Sequence, residues 1–540
     1  MICVVLKTAY GMDTIARRKY PIGIQTFSEI RKGGYIYIDK TDLVWEMTQM
    51  KYVFLSRPRR FGKSLLSSTL HAYFDGRRDL FEGLKIMDLE NEWESRPVFH
   101  LDLSVTKTET TVEGLRTVLF RLLEGYRKIY GEEAYETSPG GRFSGLIHRA
   151  YAQSGKQVAV IIDEYDAPLL DKLHDAEMLA AFRNVMQDFF VQLKSNEPMI
   201  SFCFITGITK FSQLSIFSTI NNLKNITMLP QYSTLCGITE DELLTDMAED
   251  IRLMADAYEC TPDEMHVKLK RQYDGYRFAE DSPEVYNPFS LMNAFGDKKI
   301  GNYWFSSGTP TFLIRQMRHF RTDITGMDRI ETVASAFDRP TEAMENALPL
   351  LYQSGYLTIK DYDRETGSYI LAIPNNEVKV GFVEGLLPVY VGVSGSDVQV
   401  GFAMKFWRAL KKGDLELAMN EMKAYLAGIP YVEGFQKKLA EVKNYEGFYE
   451  YTFYLIFSML NVYVRTQVKC ANGETDVVVA MPDTTYIFEL KVNGTAQDAL
   501  AQINRKGYAA PYLTEGRKVV KAGIRFDRDT MTVGDYVVER

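Results

Sequence analysis

Three groups of residues in this 540-residue chain have the types and spacing that chemistry on phosphate requires. The first is Arg57-Pro-Arg-Arg-Phe-Gly-Lys63-Ser64, led in by the apolar run Tyr52-Val-Phe-Leu55 and followed by the helical pattern Leu65-Leu66-Ser-Ser-Thr-Leu70. In a strand, loop and helix arrangement, the backbone of Arg60, Phe61, Gly62 and Leu65 and the helix N-terminus would wrap a polyphosphate. Lys63 would reach the β and γ oxygens, and the Ser64 hydroxyl would ligate Mg²⁺. The usual pattern opens on Gly, and here Arg57 stands in that place. The plain alternative is a basic turn before a helix.

The second group closes Gln157-Val-Ala-Val-Ile-Ile-Asp163-Glu164, a continuous apolar run such as a buried parallel strand shows. At its C-terminal end Asp163 would hold Mg²⁺ through water, and Glu164 would polarise an attacking water. A buried strand ending at a surface acid is common by itself. The two motifs in this order, about a hundred residues apart, point together to a nucleotide hydrolase with ATP and Mg²⁺ as its ligands. Thr206, ending the apolar run Ile200-Ser-Phe-Cys-Phe-Ile-Thr206, sits where a γ-phosphate-sensing residue would stand, or is simply a β-branched strand residue.

The third group lies near the end of the chain. Asp476 begins the apolar run Asp476-Val-Val-Val-Ala480, and Tyr486-Ile-Phe-Glu489-Leu-Lys491 follows across a turn. Glu489 and Lys491 are two apart and share a strand face. Asp476 and Glu489 would share Mg²⁺, joined by Glu446 or Glu450 from an upstream helix, while Lys491 would orient water or offset developing charge. Alternating charges on an exposed strand face are the plain alternative.

These groups must be held by folded domains. A chain this long exceeds one core, and 46% hydrophobic with 25% charged residues is an ordinary globular balance. Net charge is −8, so any nucleic-acid contact rests on local patches. Five scattered cysteines argue for a reducing compartment and against zinc. The start Met1–Leu6 is too short for a signal-peptide core, and the apolar run Tyr451–Val464 is too short to span a bilayer. The expectation is a cytoplasmic chain without a membrane partner. Apolar runs alternating with helical patterns, such as Val112–Tyr130 and about 176–193, predict a parallel α/β sheet. A further strand is expected over Tyr35–Thr41, with Asp39 capping the next helix.

Acidic helical residues follow from Ile238. An amphipathic helix from about Arg329 then leads to a hairpin, Tyr356–Lys360 and Tyr369–Ile373, as in a winged-helix-like lid. The expected organisation is a tail to 19, a nucleotide-binding core over 20–237, a helical and winged-helix-like region over 238–400, and a helical linker with a small α/β domain over 401–540.

The phrases Arg57–Leu65, Ile162-Asp-Glu-Tyr-Asp166, Thr206–Ser212, Tyr273-Asp-Gly-Tyr-Arg-Phe278 and Tyr286-Asn-Pro-Phe-Ser290 resemble the AAA-ATPase-like family common in gut and anaerobic bacteria. In that family Arg at the position of Arg57 is usual. The stretch from about 444 to 526, with Gln502 and Tyr508 after Glu489-Leu-Lys491, resembles the PD-(D/E)xK nuclease superfamily. A Gly-Arg pair common before the first acid is here Gly473-Glu474. The resemblances imply an ATPase regulating a metal-dependent nuclease on DNA or RNA. A nucleotide-dependent switch whose last domain binds without cleaving, or a scaffold, is the alternative, and a homo-oligomer is compatible with either.

Overall fold

The computed structural model describes residues 18–210, 223–307, 311–320, 329–341, 344–382, 396–427, 463–470, 473–481, 483–513, 516–527 and 532–540, with single positions between them. The chain forms two compact units, one of Met1–Lys270 with Ser282–Gly301, the other of Arg271–Asp281 with Asn302–Arg540. Residues 238–270 thus fall in the first unit and not with residues 302–400.

The first unit is built on a five-stranded parallel sheet. Its strands are β1 (Tyr52–Ser56), β2 (Val98–Asp102), β3 (Val158–Asp163), β4 (Ile200–Gly207) and β5 (Lys224–Asn225), in the order β2-β3-β4-β1-β5. Every residue of β1 and β3 is buried, so both faces of these strands are covered, which is why they read as unbroken apolar runs. Parallel register brings Asp102 opposite Asp163 and Leu55 opposite Thr206, aligning the C-terminal strand ends along one edge. Helix Val112–Tyr130 begins at Thr111 and helix Ala176–Ser195 at Asp175. Each N-cap side chain accepts a backbone N–H of the first turn. A short antiparallel pair, β6 (Ile238–Thr239) and β7 (Val285–Tyr286), also belongs to this unit.

The strand expected over Tyr35–Thr41 does not form. Tyr35 makes one isolated bridge with Lys19, and residues 35–39 are all half-buried instead of alternating. Asp39 serves local structure there, accepting from the Thr41 N–H at 2.9 Å, the Thr41 hydroxyl at 2.7 Å and the Lys85 N–H at 2.7 Å.

In the second unit, β8 (Ile330–Val333), β9 (Thr358–Asp363) and β10 (Ser368–Ala372) form an antiparallel sheet in the order β8-β10-β9. The helix expected from Arg329 is instead β8 followed by one short turn of helix, Ala334–Phe337. The helix Thr311–His319, β8, the two short helices Ala334–Phe337 and Leu348–Gln353, and the hairpin β9–β10 come in winged-helix order. The helix before the hairpin, Leu348–Gln353, is buried from Pro349 to Gln353.

The last sheet is mixed, with β11 (Tyr463–Cys470), β12 (Gly473–Ala480), β13 (Thr484–Lys491), β14 (Lys518–Asp527) and β15 (Thr532–Glu539) in sequence order. Only β13 and β14 run parallel, joined by the helix Ala496–Lys506. A strand–helix–strand crossover is what a parallel neighbour requires.

Candidate functional site

The phosphate loop turns between the end of β1 and the helix Lys63–Phe74. Two left-handed residues make the turn, Arg60 at φ 66° and Gly62 at φ 88°. Gly62 accepts that conformation without strain. Arg60 does not, and its guanidinium is braced 4.0 Å over the Phe289 ring. Lys63 is 5% exposed and donates to the Pro58 carbonyl at 3.0 Å, so the ammonium lies inside its own loop.

Arg60, Phe61, Gly62, Lys63, Ser64 and Leu65 line one cavity of about 560 Å³, with Glu164 also in its wall. That volume suits a nucleotide. Its apolar lining comes from Ile22, Ile24, Ile36, Leu235, Phe289 and Met292, a surface fit for a base. Lys40, in the same wall, is buried and held by Glu242 at 2.5 Å, which ties the segment after Tyr35 to the one after Ile238. None of these distant residues carries a spacing signal. The nearest sequence clue is Tyr286-Asn-Pro-Phe-Ser290, in which Asn287 caps a helix by accepting from the Ser290 N–H at 3.0 Å and so sets Phe289 in place.

Asp163 ends β3 almost fully buried, and Ser64 hydrogen-bonds to it. Burial pushes the Asp163 carboxyl above the usual carboxylate range, opposed by that Ser64 bond and the Lys63 charge. The two expected Mg²⁺ residues are therefore in contact. Glu164 adopts φ 49°, its N–H donating to Asp163 Oδ1 at 2.9 Å, and is half-buried at the cavity wall. Thr206 is not brought to the loop by its hydroxyl, which donates to the Leu55 carbonyl at 2.7 Å inside the sheet. Asp166 is likewise structural, accepting from the Thr209 N–H and hydroxyl, each at 2.7 Å.

Arg57 explains its own departure from the usual loop. It is 1% exposed and donates to the carbonyls of Ser56 at 2.9 Å, Thr227 at 2.8 Å and Tyr232 at 3.0 Å. The guanidinium holds the loop's first residue to the segment that leads into the Leu235–Ile238 wall.

The second centre forms where β12 and β13 part. Their ladder runs to Val477 opposite Phe488, and beyond it the Asp476 carboxylate accepts the Leu490 N–H at 2.7 Å. Asp476 thus lies inside β12, as the fourth residue of the strand that opens at Gly473, and not at its head. Glu489 is 1% exposed. Its Oε1 accepts from Gln502 and lies 3.6 Å from the Lys491 ammonium, while its buried Oε2 has no hydrogen-bond partner. Burial, then the Asp476 charge, push the Glu489 carboxyl up to about 8, with Lys491 opposing. An orphaned buried carboxylate oxygen beside a second acid suits a divalent cation. Among the described residues no three ligand side chains converge on a point, and Glu446 and Glu450 lie outside them. Sequence reasoning noted Gln502 without a role. Gly523 opposite Glu489 supplies the reason it reaches: a Cβ there would stand 2.2 Å from the Ala496 carbonyl, so only glycine lets that helix lie on the sheet.

Known families match these two regions. Residues 21–217 match the family described as predicted AAA-ATPase, and residues 444–536 match the PD-(D/E)XK nuclease superfamily. An Azotobacter chroococcum mcd 1 protein described as "Uncharacterized protein in vnfD 5'region" is 33% identical over 541 residues, covering 97% of this chain and 99% of that one. Among the described residues no helix is long and apolar enough to cross a membrane.

Two tests follow from this geometry. Arg57→Gly, which restores the usual loop residue, should lower unfolding stability by about 3 kcal/mol in urea, because three buried carbonyls lose a charged donor, and should not raise ATP affinity. In metal-free protein the raised Glu489 pKa means that the native state binds more protons than the unfolded one. Stability should therefore fall as pH rises from about 5 to about 8, and Glu489→Gln should flatten that decline in denaturation curves taken across the range.

Proposed function

The chain belongs to the AAA-ATPase-like proteins that carry a C-terminal PD-(D/E)XK nuclease-superfamily domain, and on that footing we propose that its first unit binds and hydrolyses ATP to regulate metal-dependent phosphodiester cleavage by its last domain. The observation that carries the nucleotide half is the cavity with the phosphate loop in one wall, Glu164 also lining it, and an apolar lining for a base. Lys63 binds the phosphates by leaving the Pro58 carbonyl, and Glu164 orients water for in-line attack. Ser64 and Asp163 would hold Mg²⁺, which neutralises charge on the β and γ oxygens.

In the last domain Asp476 and Glu489 would hold Mg²⁺, which turns a repulsive acidic centre attractive to a phosphodiester. Lys491 adds a fixed positive charge beside the attacking water. A second reading is a nucleotide-dependent module that binds nucleic acid without cutting it. It is favoured by Glu489, which without metal keeps its proton at neutral pH.

Lys63→Ala should weaken ATP binding at least about tenfold, equivalent to about 1.4 kcal/mol, in calorimetry on folded protein. Glu164→Gln should keep ATP affinity and slow hydrolysis. Unchanged affinity in the first variant or unchanged turnover in the second removes the corresponding role.

Incubating the full chain with single- and double-stranded DNA and RNA, Mg²⁺ or Mn²⁺, with and without ATP, tests the last domain. Asp476→Ala and Glu489→Ala should abolish metal binding and cleavage, whereas Lys491→Ala should keep the metal and lose cleavage. Binding without cleavage by the unsubstituted chain under every condition selects the second reading.

A further inference from the structure

The proposed hydrolysis leaves one electrostatic need unmet. Phosphoryl transfer spreads charge over three equatorial oxygens, and fast hydrolases place an additional cation there, supplied either by the same chain or by a neighbour. The cations already described around the cavity have other engagements. Lys40 is held by Glu242, Arg60 lies over Phe289, and Lys63 belongs to the loop that binds the ground-state phosphates.

Two further cations line the same cavity, Arg59 within the phosphate loop itself and Lys107 on a separate element. Lys107 follows β2 through a single 3-10 turn, Leu103–Thr106. Parallel pairing of Asp102 with Asp163 sets this turn beside the strand end that carries Glu164, and Lys107 and Glu164 line the same cavity. The turn is firmly held. Asp102 caps it by accepting from the Ser104 N–H at 2.9 Å, Leu103 and Thr106 are fully buried, and the Thr106 hydroxyl donates to the Leu103 carbonyl at 2.6 Å. Lys107 then emerges exposed from this anchored turn. A rigid base carrying a flexible, strongly hydrated point charge suits a group that engages only as charge develops.

We propose that Lys107 is the charge-stabilising residue for the transferred γ-phosphoryl group, supplied within the chain that binds the nucleotide. The assignment rests on the ATPase reading above and goes beyond it by making each chain's centre complete without a neighbouring copy. Its effect belongs to the transition state, so it is separable from ground-state binding.

The test uses the full chain with Lys107→Ala and Lys107→Arg, and measures affinity for ADP alone and for ADP with aluminium fluoride, a mimic of the transferring group that requires no turnover. Lys107→Ala should bind ADP within about twofold of the parent and lose about tenfold or more for the fluoride complex, with Lys107→Arg recovering most of the loss. Parental ATP turnover per molecule should also stay constant on dilution. Equal binding of the fluoride complex by parent and Lys107→Ala overturns the proposal, as does an equal loss for ADP alone. Turnover that falls on dilution while Lys107→Ala matches the parent assigns the cation to a second copy instead. A parent that binds no nucleotide removes the ATPase reading as well, and Lys63→Ala, then indistinguishable from the parent, identifies that case.

Discussion

A buried guanidinium with three carbonyl partners sets the geometry of the cavity at the phosphate loop. Arg57 begins the phosphate loop where a small flexible residue would normally stand, and besides its bond to Ser56 it joins the loop through Thr227 and Tyr232 to a segment 170 to 175 positions later. Burying that charge is costly unless every acceptor is well placed, so the arrangement tolerates few alternatives. The loop is thereby held rigid at its first residue and free to turn at Arg60 and Gly62. The segment from Tyr232 then supplies Leu235–Ile238 to the cavity wall.

The last domain uses the opposite charge under the same constraint. Glu489 is buried with one oxygen engaged by Gln502 and Lys491 and the other without a partner. Low dielectric makes the ionised form unfavourable, and the nearby Asp476 adds to the penalty. Such a site is uncomfortable as bare carboxylates and comfortable around a cation. The parting of β12 from β13 creates it, since Asp476 replaces a ladder bond with its own side chain at the Leu490 N–H. Gly523 then lets the crossover helix approach closely enough for Gln502 to orient the acid.

The three-stranded sheet β8-β10-β9 and its short helices form a winged-helix-like module. Its topology matches modules that read DNA, yet the helix Leu348–Gln353 is buried over most of its length. In the last domain, by contrast, Asp476, Glu489 and Lys491 lie together.

Sequence alone determined the elements whose signal is local. Buried parallel strands must be apolar on both faces, so β1, β3 and β4 were legible as runs, and helix Val112–Tyr130 was legible to the residue from its period and cap. The grouping of Ser64 with Asp163 was legible because both follow apolar runs that read as buried parallel strands. A local pattern misled at Tyr35–Thr41, where alternation without a partner strand gave only an extended edge, and before Leu348, where β8 is too short to announce itself. Tertiary structure decided what depends on distant partners: that the Thr206 hydroxyl serves Leu55, that Arg57 braces the loop, that Phe289 steadies Arg60, and that Lys107 lines the cavity. Each of these is set by which residues the sheet order and register bring together, and neither is written in the spacing of neighbours along the chain.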